Sequence, residues 1–574
     1  MGDYETVGLS QTWMTAADRY GPYGWEDDKP GYDRTRVAWD AVDWSALQNQ
    51  CLSRNAARLQ QPAPMLPFEQ RFRMRRPDEK VPAPSPEDPQ AGAEAGVPRT
   101  AIVFRAWEGY NFTSEDLVNL RATITETSLR LGGEYTVHLL VDVKNTSRAI
   151  FASEANYQRA ITELVPPEFW GIAVLFDETL LASWYPRVKE HSTTYQIMQP
   201  LQLFGAFYPE FAHVWQLELD LRFTGHAGRY LTALASFARA QPRKQAAERS
   251  TWFYMPAFHG AYTTLLATIN ATLAGGGGIA WPSSPANSTS TSTPSSSPTP
   301  LVPHLGPLPP SPDPHDDNFT WGIHHEADLI ALTPCAYLPT LTDWAWRLWN
   351  RGFPRSAQPK GWMCQPAMGR ASRLLLAAVH HAQAERGLAM HSESTLSSWA
   401  VWAGLKLVVP PAPVFMDPRR AGGEMEVLYN GAGEREGGMA AGEAMRIMTL
   451  HHDVLQSVSL WWSSRFPDRI YDAWLGRKEE KGGEVPYVMW KGEDGKVWAP
   501  NMMLHPVKTN RNVPEESGWS VWVWIGIGVA VGVLGVVGGW WWWRRRRRGR
   551  GSYALLSNED SQVFGLARLD CGSE

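Results

Sequence analysis

Between His213 and His226 the chain reads His-Val-Trp-Gln-Leu-Glu-Leu-Asp-Leu-Arg-Phe-Thr-Gly-His, setting charged side chains into an otherwise apolar run. Val214, Trp215, Leu217, Leu219 and Leu221 supply the content of a buried strand, and period-two alternation then places Glu218, Asp220 and Arg222 on one face. Charges in such a place must pair with one another, bind a metal or meet a charged ligand, because an uncompensated buried charge is costly. A structural ion-pair cluster at a strand end satisfies the same residues, so both readings stand.

The elements that would position these residues are legible upstream. Thr100 to Arg105 reads as a buried strand, and Thr113-Ser-Glu-Asp116 starts a helix expected to run through Arg130. Gly132-Gly133 breaks it ahead of a second strand over Glu134 to Val143. A third apolar run, Ile172 to Phe176, precedes a helix expected over Thr194 to Phe207, and the charged stretch follows as a fourth strand. This alternation predicts an α/β fold with a mostly parallel sheet and crossover helices. Ligands of such sheets sit at the carboxyl ends of the strands, which gathers Arg105, Asp142 and the Glu218 to Arg222 group at one rim. Further on, a helix is expected over Tyr230 to Ala240, a short strand over Trp252 to Pro256, and helices over 371–384 and from Ser392 through Ala403, the last leading into Lys406 to Val409 and a Pro-rich turn.

Composition bounds the rest. A net charge of −5 over 574 residues, with one short basic run, argues against nucleic acid as a partner. The 29 tryptophans serve equally as packing under long loops or as stacking platforms for sugars. Four scattered cysteines exclude a disulfide scaffold; Cys335 and Cys364 could be bridged in an oxidising compartment or remain two buried thiols. The expected organisation is an amino-terminal extension and Pro-rich linker (1–98), one half of the α/β domain (99–274), a disordered Gly/Ser/Thr/Pro-rich insertion (275–314), the second half (315–510), a transmembrane helix (519–543) and a basic tail (544–574). Val521 to Trp543 is uncharged, apolar and long enough to span a bilayer, and Arg544 to Arg548 follow it directly. The positive-inside rule places the tail in the cytosol and the body in the lumen of the Golgi or a related endomembrane. Because Met1 to Thr6 carries no export signal, that topology expects a start upstream.

Several stretches resemble fungal membrane-associated proteins grouped as a domain of unknown function: Val37-Ala-Trp-Asp-Ala-Val-Asp-Trp44, Gly132-Gly-Glu-Tyr135, Trp215 to His226, Glu326-Ala-Asp-Leu-Ile330, Ser392-Glu393 and His505-Pro-Val-Lys508. That family implies no activity. More loosely, Glu218-Leu-Asp220 is similar in position and spacing to the Asp-x-Asp-like motif of A-type-fold glycosyltransferases. The resemblance implies Glu218 and Asp220 on a Mn or Mg ion, with His505 reaching the same metal from late in the chain. It further implies Arg105, Asp142 and Arg222 on a nucleotide sugar, and Glu326, Asp328 or Glu393 as general base on the hydroxyl of a glycan acceptor. Two other readings remain: a non-catalytic membrane protein binding glycan or protein, and a glycoside hydrolase using the two strand carboxylates.

Overall fold

The computed structural model describes residues 1–25, 37–60, 71–85, 96–274, 302–311, 316, 319–338, 344–354, 359, 361–364, 368–430, 457–461, 463–478 and 484–508. Its centre is a seven-stranded sheet of β1 (Thr100–Trp107), β2 (Tyr135–Asp142), β3 (Ala173–Phe176), β4 (His213–Glu218), β5 (Leu329–Ala331), β6 (Gly369–Ser372) and β7 (Leu407–Val408). In space the order is β3-β2-β1-β4-β6-β5-β7. β1 pairs in parallel with β2 and with β4, β2 with β3, and β5 with β7, whereas β6 runs antiparallel to both of its neighbours. The chain is therefore α/β with a mostly parallel sheet, as the alternation of elements predicts.

Both sheet faces are covered, which is why β1, β2 and β4 are apolar at nearly every position rather than at every second one. Ile102, Phe104, Leu139, Val141, Trp215 and Leu217 enter one core, under α1 (Ser114–Ile124), α2 (Glu154–Leu164) and α4 (Ala227–Ala240). Ala101, Val103, Leu140, Val174 and Val214 enter the other, beneath α3 (Gln199–Phe207), α5 (Arg373–Arg386) and α6 (Ser392–Trp402). Thr113 caps α1 in a reciprocal box with Asp116. Past Ile124 the helix continues as a π-helical turn, Thr125–Leu129, so the expected run to Arg130 is present but not uniformly α. The helix expected over 194–207 is split into Thr193–Gln196 and α3, with Pro200 in the first turn of the second piece.

Two expectations are corrected, the strand over Trp252 to Pro256 and the extent of the insertion. No strand forms over Trp252 to Pro256; Trp252, Phe253, Tyr254 and Met255 are buried but unpaired in any ladder, and Pro256 starts a short helix. The described residues before 99 pack against the body. Trp13–Thr15 pairs antiparallel with Val497–Pro500, and Gln48, on the helix Trp44–Arg54, exchanges two hydrogen bonds with the Val137 backbone at 2.7 and 3.2 Å, so this segment belongs to the compact unit Met1–Thr509. Within the expected disordered insertion, 302–311 packs on the body: Val302 and Leu305 are buried and Gly306 donates to the Ala403 carbonyl at 2.9 Å, because two apolar anchors among the prolines suffice to hold it. Residues 275–301 and 312–315, the apolar 519–543 stretch and the 544–574 tail lie outside the described residues. Among those described, no helix is long and apolar enough to cross a membrane.

Candidate metal centre

β4 ends at Glu218, and the chain turns at once: Leu221 N–H donates to the Glu218 carbonyl at 3.1 Å. Arg222–Phe223 then pairs antiparallel with Met503–Leu504. That pairing returns a segment from late in the chain to the end of β4, and Val507 N–H bonds the Asp220 carbonyl at 2.9 Å. His505 and Lys508 arrive with it. His505 Nε2 lies 2.7 Å from a Glu218 oxygen and 3.2 Å from an Asp220 oxygen. Lys508 Nζ sits 2.6 Å from the other Asp220 oxygen, and Arg105, opposite Glu218 in the β1–β4 register, pairs with its second oxygen. Ligand atoms of Glu218, Asp220 and His505 all lie within 4.8 Å of one another.

The electrostatics follow from enclosure. Burial by itself would lower the imidazole, but the hydrogen bonds and charges of Asp220 and Glu218 outweigh it and push His505 up to about 9. Burial likewise works against ionising the carboxyls, yet His505 and Lys508 hold Asp220 well below the usual range, and Arg105 and His505 hold Glu218 below it. A proton on His505 is thus the cation shared by two carboxylates. One imidazole nitrogen and two carboxylates form a donor set suited to Mn, with Mg as the harder alternative, and a divalent cation would take the place of that proton. Arg105 and Lys508 hold the outer oxygens of the two carboxylates.

The position in the sheet matters as much as the residues. From β1 the order runs outward through β2 and β3 on one side, while β4 lies on the other, so the β1–β4 boundary is a topological switch point, the place where open α/β sheets leave a crevice at their carboxyl ends. Asp142 ends β2 at this rim, opposite Trp107, with its carboxylate 2.6 Å from Lys144 and pushed up by burial.

Arg222 departs from the expected geometry. The turn breaks the period-two alternation, so Arg222 does not share a face with Glu218 and Asp220. It is fully buried, 2.5 Å from Asp116, and it also donates to the Leu219 and Leu221 carbonyls. Its work is to clamp the turn that presents Asp220 onto the first turn of α1. Glu326 and Asp328 are corrected too. They precede β5, whose residue Leu329 aligns with Ala371 of β6, and Ser372 in turn aligns with His213. Both therefore sit at the amino-terminal rim, displaced from Glu218 by roughly 17 Å along the strand direction and by two strands across the sheet. There Glu326 pairs with Arg370 at 2.8 Å, while Asp328 accepts from Ser372 Oγ at 2.9 Å and from the Lys406 N–H at 2.8 Å.

Glu393 occupies a third place, in the first turn of α6. Together with Gln216, Met368, Gly369 and Ser397 it lines a cavity, and Gln216 lies two residues before Glu218 on the same face of β4. Burial pushes the Glu393 carboxyl up to about 7, against the bond it makes with Trp344. Cys364, bridged to Cys335, donates its N–H to the Glu393 carbonyl at 2.9 Å, so a disulfide braces this turn. Sequence reasoning assigned no role to Lys508 or to Trp107, which is 48 % exposed beside Tyr110 at the end of β1. For Lys508 a signal existed: a cation three residues after His505 in the otherwise apolar Met502-Met-Leu-His-Pro-Val-Lys508.

No curated protein and no solved structure matches the chain. A family model described as protein of unknown function (DUF3405) matches residues 14–509, which contain every residue of the cluster, and the chain belongs to that family.

Proposed function

We propose that the protein is a membrane-anchored, metal-dependent glycosyltransferase, moving a sugar from a nucleotide sugar to a glycan or protein acceptor. The observation that carries this reading is the convergence of Glu218, Asp220 and His505 at the β1–β4 switch point, flanked by Arg105 and Lys508. With a neutral imidazole the two carboxylates and two cations cancel. A bound Mn or Mg ion then leaves the site doubly positive, the charge needed to attract a nucleotide diphosphate and to stabilise it as a leaving group. Arg105 and Lys508 are placed to contact phosphate oxygens, and Glu393, poised near neutrality, is the general base for an acceptor hydroxyl. The Cys335–Cys364 bridge supports a lumenal body, since disulfides persist in oxidising compartments.

Titration calorimetry of the full-length protein with Mn, then with a panel of nucleotide sugars, tests the reading. Binding of both, lost in Asp220→Asn, is the expected result. Absence of either at millimolar ligand removes the proposal.

One observation favours a second reading. The cluster's charges already pair with one another, as those of a structural ion-pair group in a non-catalytic scaffold would. Asp220→Asn would then depress the melting temperature and change no ligand affinity. A hydrolase fits less well: an inverting pair needs about 6.5–9.5 Å between carboxyls to admit water, whereas here one imidazole nitrogen bridges both.

A further inference from the structure

Away from the charged cluster, chemistry-bearing side chains concentrate around the start of α6. Tyr195 and Trp349 stack with centroids 4.9 Å apart and planes 23° from parallel. Trp346 lies parallel to His391 at 5.4 Å, and Trp344 meets the same imidazole edge-on at 5.4 Å. An aromatic group serving only to hold this segment would bury its rings. Trp346 is instead 37 % exposed, while His391 beneath it is 3 % exposed.

His391 is in a defined tautomer. Its Nδ1 caps α6 by accepting from the Glu393 N–H at 3.4 Å, which puts the ring proton on Nε2. That Nε2–H is enclosed and meets no acceptor among the described residues. A buried donor left without an acceptor is costly, and a ligand oxygen that reached it would offset that cost. The Glu393 carboxyl, bonded to Trp344, belongs to the residue two positions on from His391 and lines the cavity that Gln216 of β4 also lines.

We propose that Tyr195, Trp344, Trp346, Trp349, His391 and Glu393 form the subsite for an acceptor carbohydrate. Sugar C–H groups pack against the exposed indole of Trp346, and as that indole shifts a hydroxyl oxygen accepts from His391 Nε2 beneath it. The inference rests on the transferase reading for the ligand's role as acceptor. Flat apolar surfaces combined with a lone donor and a carboxyl are the complement of a neutral pyranose, which offers an apolar face edged with hydroxyls. A nucleotide would demand cations at its phosphates, and among the described residues a cation recorded over these rings is Arg351, 4.6 Å over Trp349 and itself exposed.

Ligand-observed saturation-transfer NMR on the full-length protein tests this, with the methyl glycosides of glucose, galactose and mannose as probes and with no metal or nucleotide sugar present. At least one glycoside should receive saturation. Trp346→Ala should weaken its binding at least about tenfold while keeping the wild-type melting temperature, Trp346→Phe should weaken it less, and Asp220→Asn should leave it unchanged. Because Asp220→Asn removes only the metal-dependent step, failure of the transferase reading and failure of this subsite are seen separately. No transfer to any glycoside overturns the proposal, as does transfer indifferent to Trp346→Ala or transfer to a nucleoside or short aromatic peptide in place of the sugars.

Discussion

The two rims of the central sheet carry similar residues and use them differently. At the amino-terminal rim Asp328 accepts from a backbone N–H and from Ser372, and Lys406 Nζ donates to the carbonyls of Arg239, Gly322 and His325 at 3.1, 3.0 and 2.8 Å. Glu326 pairs there with Arg370 and Asp328 lies 3.7 Å from Arg243, but much of the charge is spent on backbone groups that cannot move away, which is the pattern of a clamp. At the carboxyl rim Glu218 and Asp220 are held by Arg105, His505 and Lys508, all of them side chains. Side-chain partners can be exchanged for a cation or a phosphate. A charged cluster is therefore better judged by what its partners are than by how many charges it contains.

The largest expected effect breaks the comparison on the functional side. Asp220→Asn should lower the transfer rate by about 10²–10³-fold, measured as acceptor-dependent release of nucleotide with Mn present, while thermal melting shifts little. A rate unchanged by this substitution would mean that the carboxyl rim is as structural as the other. The reciprocal change, Asp328→Ala, should behave in the opposite way. It strands the Lys406 N–H and the Ser372 hydroxyl, so denaturant unfolding should show a loss of about 2–3 kcal/mol while Mn affinity of the folded protein stays within a factor of about two.

Glu393 belongs to neither rim and sharpens the contrast through pH. Its carboxyl titrates near 7 in the fold and near 4.5 when unfolded, so between those values the native state binds more protons and stability falls as pH rises. Glu393→Gln should thus be about 1–2 kcal/mol more stable than the parent at pH 8 and no more stable at pH 4, compared by denaturant unfolding at the two pH values. In the parent, transfer should decline as pH drops below about 7, where the proposed base becomes protonated, and Glu393→Gln should abolish this acid limb together with most of the rate. The smallest effect is expected at Lys508, whose side chain is 64 % exposed. Lys508→Ala should cost below about 1 kcal/mol of stability, yet weaken nucleotide-sugar binding several-fold at low salt, a difference that added salt should shrink.

Much of the sheet is legible from the chain alone, because strands buried on both faces must be apolar along their whole length. Thr100 to Arg105, Tyr135 to Asp142 and Ala173 to Phe176 announce themselves in this way. The helix start at Thr113 is read from local chemistry, since a capping side chain and the amides it serves lie within a few residues, whereas α6 is capped by His391 rather than by Ser392. Cys335 and Cys364 are visible as candidates, but whether they meet depends on how Ala336–Tyr337 pairs with Trp362–Met363.

What the sequence by itself determined, then, is the α/β class and the presence of Glu218, Asp220 and Arg105 at the carboxyl ends of parallel strands, both consequences of short-range periodicity. Tertiary structure alone decided the rest. Leu219 and Leu221 keep the alternation of a strand, so only the observed turn shows Arg222 leaving the face of Asp220 for Asp116. The antiparallel run of β6 alone shows that Asp328 lies at the far rim. His505 joins Glu218 and Asp220 only because Met503–Leu504 pairs with Arg222–Phe223, and a pairing between segments so distant in sequence leaves no periodic trace in either of them.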